Sequence, residues 1–194
     1  VFKPNQAQEA PVAQDADRVY DKTQLHIEQA TERGIMHRDY AAHLFRWSAV
    51  FRYLVSAHRY KDARILDIGC GQDWPLAKTL YSNRLSGPHY VGVDLNNLEP
   101  PEILVKAVTG DKLRIDYFER TDASVLTLED LPYDNHALPT LIVALEVFEH
   151  MHPGVLHRLM KTIRSFMAPG TTCFFSTPCY NGGAAGNHIN EMSY

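Results

Sequence analysis

Glu146, Glu149 and His150 follow one another at spacings of three and four residues in ALEVFEHM, and a further imidazole, His188, stands in NHINEMSY. Those spacings put the first three side chains on one side of a helical turn. Two carboxylates and two neutral imidazoles carry a charge of −2 and suit Mg²⁺ or Mn²⁺, with coordination positions left for substrate oxygens. Without a metal, His150 can serve as the base that deprotonates a hydroxyl nucleophile. Either chemistry acts on a hydroxyl. His152, beside Pro153, reads as a surface histidine at a helix start.

A second constellation lies in RILDIGCGQDWPLAKTL, Arg64 to Leu80, where a hydrophobic run enters Asp67-x-Gly69-x-Gly71 and then a helical pattern. The glycines permit a tight turn and let a ligand approach the backbone, while the acid accepts hydrogen bonds. Asp94 ends the next apolar run, VGVDLN, 23 residues after Gly71, an interval that suits an acid binding ribose hydroxyls. Asp122, in RTDAS, follows a third run and can face an adenine amino group. Asp73 and Pro75 read as an N-cap and a first-turn proline. An acid at Asp73 and a bulky Trp74 disfavour a pyrophosphate at this helix start, and with it a nicotinamide dehydrogenase.

Alternating short strands and helices must position these groups, which implies a parallel sheet. The expected strands are Ala63–Gly69, His89–Leu95, Lys112–Glu119, Thr140–Glu146 and Thr171–Thr177, with helices over Trp74–Tyr81, Pro101–Val108 and Pro153–Met167. Ahead of them, Val1–Ala16 reads as a mobile arm and Asp17–Arg33 as a helix stopped by Gly34. His37–His58 reads as a stronger helix, with Tyr40, Leu44, Trp47, Phe51 and Leu54 on one stripe. The domains expected are thus an arm over 1–16, a helical cap over 17–62 and an α/β domain over 63–194. The Gly-rich YNGGAAGNH, Tyr180 to His188, reads as a loop closing over the strand ends.

The 194 residues, 45% hydrophobic and 22% charged, suit an ordinary globular domain and exclude disorder or coiled coil for the bulk of the chain. Cys70, Cys173 and Cys179 are an odd count without CxxC spacing, which argues for reduced thiols. The longest apolar stretch, Leu141–Phe148, is broken by Glu146 and falls short of the roughly 18–20 residues of a membrane span. With no leader-like start either, a cytoplasmic location is the expectation. The chain opens at Val1 and stops at Tyr194, leaving open a truncation of the domain. From Arg33 to Arg64 seven basic residues face two acids, a surplus of +5 within a chain of net charge −4. That surplus points to an anionic acceptor or to a solvated helix face.

The trio of Asp67/Gly69/Gly71, Asp94 and Asp122 resembles the class I S-adenosylmethionine-dependent methyltransferases, over roughly Arg64 to Tyr194. The resemblance continues through ALEVFEHM and through LMKTIRSFMAPGTTCFFSTP. It implies a Rossmann-like, mostly parallel open sheet with helices on both faces and the N-terminal helical cap added. It further implies S-adenosylmethionine as cofactor, held by Asp67, Gly69, Gly71, Asp94, Leu95, Asp122, Ala123 and Glu146. Asp73 departs from the family by standing where many members have a third glycine, and it should shape the methionine end of the pocket. The four residues Glu146, Glu149, His150 and His188 also resemble the metal site of small-RNA 2′-O-methyltransferases, although Glu-x-x-Glu-His occurs in metal-free small-molecule O-methyltransferases too, a resemblance that implies His150 as base with Glu146 and Glu149 as its structural partners.

After the fourth strand the chain carries Leu145-Glu146-Val147-Phe148 where base-amine methylating enzymes have Asn/Asp-Pro-Pro-aromatic, so exocyclic amines are not expected as targets. Pro178-Cys179 follows the fifth strand without a companion Pro-Cys after the fourth, which disfavours a cysteine nucleophile. The expectation is methyl transfer to a hydroxyl of a small molecule, with Arg38, Tyr40, Arg46 and His188 on the acceptor. The rivals are a nucleotide or nucleic-acid acceptor, metal-assisted or not, and a non-catalytic module that only binds the cofactor.

Overall fold

A computed structural model describes residues 38–58, 60–100, 104, 113–178 and 188–190, with side chains from Phe45 onward. The expected arm and first helix, the Pro101–Val108 helix apart from the buried Leu104, Cys179 and the loop over 180–187 lie outside the described residues.

Five strands form one sheet: β1 (Arg64–Ile68), β2 (His89–Val93), β3 (Arg114–Phe118), β4 (Leu141–Leu145) and β5 (Thr172–Ser176). Each sits within two residues of the ends expected from sequence. Their order is β3-β2-β1-β4-β5, every pair parallel. The chain steps outward from β1 to β3 and then crosses to β4, so the switch point lies between β1 and β4, where open α/β sheets bind ligands beyond the strand ends.

Side chains alternate between two apolar cores. Ile65, Tyr90, Leu141 and Val143 face one core, with α1 (Arg38–Ser56) and α2 (Pro75–Ser82) supplying Val50, Leu54, Leu76, Ala77 and Leu80. Leu66, Ile68, Val91, Ile142 and Ala144 face the other, covered by Leu159 and Ile163 of α3 (Pro153–Ser165) and by Phe166. Burial on both faces is why the central strands read as nearly continuous apolar runs. Trp47 and Phe51 pack against the first core, as the helical stripe predicts.

Two contacts fix the direction of α1. The Tyr53 hydroxyl bonds Thr172 Oγ1 at the start of β5, whereas Arg46, two turns earlier, reaches Glu146 at the end of β4. The helix therefore runs antiparallel to the strands. At 1.5 Å per residue, its first eight residues extend about 12 Å beyond that contact, over the carboxyl ends of the sheet.

Candidate functional site

The turn after β1 is built on two glycines that do different jobs. Gly69 (φ 68°) donates its amide to Val93 O at 2.8 Å, and a Cβ there would lie 2.5 Å from Val147 Cγ2. Gly71 (φ 71°) has open space where its Cβ would be. The first glycine lets β4's loop pack against the turn; the second faces space available to a ligand. The helix N-cap falls on Trp74 in left-handed conformation (φ 53°), not on Asp73 as the sequence suggests, and Pro75 occupies the first turn as expected. Apolar burial decides it: the indole is fully buried, edge-on to Tyr117, with Nε1 lacking a partner among the described residues.

Asp94 holds this turn shut. Its Oδ2 accepts the Gly71 amide at 2.9 Å, and its Oδ1 accepts both the amide (2.9 Å) and the side-chain nitrogen (2.8 Å) of Asn96. A carboxylate offers about four acceptor directions, so one remains on Oδ2. Asp67 lies deeper, 4% exposed, and accepts the Tyr90 hydroxyl at 2.6 Å. Burial raises its pKa to about 7; the Tyr90 hydrogen bond opposes that rise and the Asp94 charge adds to it. The same burial and the nearby acids push the Cys70 thiol up, so this cysteine stays protonated. Gly92 is required beneath: a Cβ would meet Cys70 Sγ at 2.9 Å and the Tyr90 and Trp74 rings within 3.3 Å. Tyr90, Gly92 and Asn96 were not among the residues singled out from sequence, since nothing in a lone strand reveals what its neighbour presses against.

Asp122 caps a short 3-10 turn over Ala123–Val125, accepting the Ser124 amide at 2.8 Å. Leu95, 67% exposed, stands beside Asp94, while Ala123 is buried.

The four residues of the acidic group divide. Glu146 sits in the left-handed region (φ 58°) just after β4, outside any helix, so the expected common helical face does not form. Its amide bonds Ser176 O at 2.9 Å, and its Oε1 accepts Ser176 Oγ at 2.8 Å and lies 3.2 Å from Arg46 Nη2. Glu149 and His150 occupy a 3-10 turn over Phe148–His150. There they meet His188: ligand atoms of the three lie within 4.8 Å of one another, a group that does not include Glu146. The His188 segment is held by the Ile189 and Asn190 amides, which donate to Glu149 O at 2.8 and 3.0 Å. Glu149 is fully buried, and neither carboxylate oxygen has a hydrogen-bond partner among the described residues. Burial and the Glu146 charge raise its pKa, opposed by its own backbone and by His150 and His188. His150 Nε2 lies 3.8 Å from Glu149 Oε1, and its ring meets that of His188 edge-on at 4.9 Å.

Arg46, expected on the acceptor, is thus engaged by Glu146. The backbones of Arg38 and Tyr40 lie in the overhanging turns of α1, their side chains outside the described residues. His152 is a surface N-cap, its Nδ1 accepting the Gly154 amide at 3.3 Å. No described helix is long and apolar enough to cross a membrane.

Comparison with solved structures gives a protein called PH0226 from Pyrococcus horikoshii OT3 at 15% identity and TM-score 0.50, covering 76% of this chain and 58% of that one. Magnesium protoporphyrin IX methyltransferase from Synechocystis PCC 6803, with bound SAM, follows at 18%, TM-score 0.48, 79% of this chain and 66% of that one. The methyltransferase domain of bacterial CtHen1-CN gives 20%, TM-score 0.40, 62% and 59%. The first supports the fold; the other two superpose too loosely to carry an argument. The chain spans about three fifths to two thirds of the length of these three structures. No sequence match was found among curated proteins. A family model described as a methyltransferase domain matches residues 38–193, taking in α1, the whole described sheet and the His188 segment, and the chain belongs to that family.

Proposed function

We propose that the chain transfers the methyl group of S-adenosylmethionine to a hydroxyl of a small molecule. The observation that carries this reading is the juxtaposition, at one sheet edge, of the Asp94-pinned turn and the group formed by the buried Glu149 with the half-buried His150 and His188. The cofactor supplies an electrophilic methyl on a sulfonium centre, and in-line displacement asks the protein mainly for orientation and exclusion of water. In this reading the open space at Gly71 gives the cofactor access to the backbone, and Asp67, Leu95 and Asp122 join Asp94 in holding it. For the ribose to take both Asp94 oxygens, the Asn96 side chain must yield its place on Oδ1. Residues 63–194 form the cofactor-binding unit in this reading, and the cap over 17–62 bears on the acceptor.

Glu149 and His150 are the groups that accept the hydroxyl proton, the carboxylate stabilising the imidazolium beside it. A second reading, in which Glu149, His150 and His188 hold Mg²⁺ or Mn²⁺, is favoured by one observation: among the described residues neither oxygen of the fully buried Glu149 carboxylate has a hydrogen-bond partner, a costly arrangement unless a proton or cation satisfies them. A bound cation would polarise the acceptor oxygen there. A nucleic-acid acceptor is less well supported, because Arg46, part of the basic surplus, is paired with Glu146.

Calorimetry tests the cofactor assignment. Asp94→Ala should weaken S-adenosylmethionine binding by roughly ten- to a hundredfold, the worth of a charge-assisted contact of about 1.5–3 kcal/mol; unchanged affinity refutes it. His150→Ala should retain the cofactor and lose methyl transfer at least about tenfold across a panel of hydroxyl acceptors. Transfer that falls steeply with salt would indicate a polyanionic acceptor instead.

A further inference from the structure

Resting on the cation reading above, we propose that Arg46 is a positioning residue that withholds Glu146 from the Glu149–His150–His188 group, leaving a site of three protein ligands. Two carboxylates follow β4 three residues apart, and only one of them enters the group. The other is held by contacts from two elements: Ser176 at the end of β5, through backbone and hydroxyl, and Arg46 on α1. The left-handed backbone at Glu146 makes the arrangement a costly one, so it persists because the surroundings determine it. A guanidinium is always charged and strongly prefers a carboxylate, so Glu146 stays with Arg46 even when a cation enters next door.

The consequence is chemical. Three ligands leave positions on a cation open to an acceptor oxygen, whereas a second carboxylate would fill one of them and tighten binding through its added charge. Arg46 thereby links the helix that overhangs the strand ends to the openness of the site.

The test uses cobalt(II) as the probe, with the full chain and its Arg46→Met and Arg46→Met/Glu146→Gln variants. Calorimetry should give cobalt binding to the wild type, about tenfold tighter binding to Arg46→Met, and a return toward wild-type affinity in the double variant. Because loss of the Arg46 charge alone would also tighten binding, crystals of the cobalt-loaded proteins decide the matter. Glu146 should lie about 2.0–2.2 Å from cobalt in Arg46→Met and on Ser176 in the wild type. Glu146 remaining on Ser176 in Arg46→Met, or ligating cobalt in the wild type, overturns the inference while leaving the cation reading intact. Failure of the wild type to bind cobalt sinks both. The circular dichroism and thermal unfolding of the variants, read in parallel, report folding independently of the cation.

Discussion

Gly69→Ala should lower the stability of the chain by roughly 2–5 kcal/mol, and Gly71→Ala by only about 1–2. Both positions are left-handed, at φ 68° and 71°, and an alanine there bears a strain of about 1–2 kcal/mol. Only at Gly69 does the new methyl strike a neighbour, Val147 Cγ2 at 2.5 Å, and relief of such overpacking typically costs a further 1–3 kcal/mol. In thermal unfolding the difference corresponds to several degrees, at about 2–4 °C per kcal/mol for a chain of this size. Gly69→Ala/Val147→Ala should recover part of the loss, because truncating Val147 removes the clash and leaves only the backbone strain. Equal melting temperatures for the two single variants would refute the division of labour. Cofactor affinity should sort them the other way: the open space at Gly71 is where a ligand approaches, so Gly71→Ala folds and binds S-adenosylmethionine poorly.

The sequence treated these glycines as equivalent, and the reason is general. Asp67-x-Gly-x-Gly is a local pattern, legible because a strand, a turn and a helix are each written in adjacent residues; the five strands and their parallel pairing were legible on the same ground. What meets across strands is written nowhere in one stretch. Val147 against Gly69, Tyr90 against Asp67 and Ser176 against Glu146 join residues 23 to 78 positions apart. The acidic group illustrates both sides. The structure brings His188 together with Glu149 and His150, a grouping that residue types and the resemblance to small-RNA 2′-O-methyltransferases suggest. The place of Glu146 was not legible, because helical spacing assumes a helix, and the backbone turns left-handed at that residue. Asp73 failed as a cap for a related reason: its polar side chain favours the role, but burial of Trp74 fixes where the helix begins.

Asp67→Asn should make the folded chain more stable at neutral pH and abolish part of its pH dependence. The Asp67 carboxyl, pushed up to about 7 by burial, keeps its proton in the folded state at pH values where the unfolded chain, near 3.8, has lost it. Below about pH 4 both states are protonated and the group is silent. As pH rises from about 4 to 7 the unfolded state alone releases the proton, so stability falls by about 1.4 kcal/mol per unit, on the order of 4 kcal/mol in all, and is flat above. Denaturant unfolding of the wild type across this window should show that decline, shallower in Asp67→Asn, whose carboxamide can still accept the Tyr90 hydroxyl. Glu149, also raised, contributes in the same direction in both proteins and drops out of the comparison. Parallel stability curves for the two would refute the raised pKa. Such a buried acid is retained at a cost in stability, which argues that its charge has a use: a cationic cofactor settling beside it would favour the ionised form. S-adenosylmethionine binding near pH 6.5 should then release part of a proton into the buffer, seen as a dependence of the binding enthalpy on the buffer's ionisation enthalpy, and Asp67→Asn should bind more weakly with no such release.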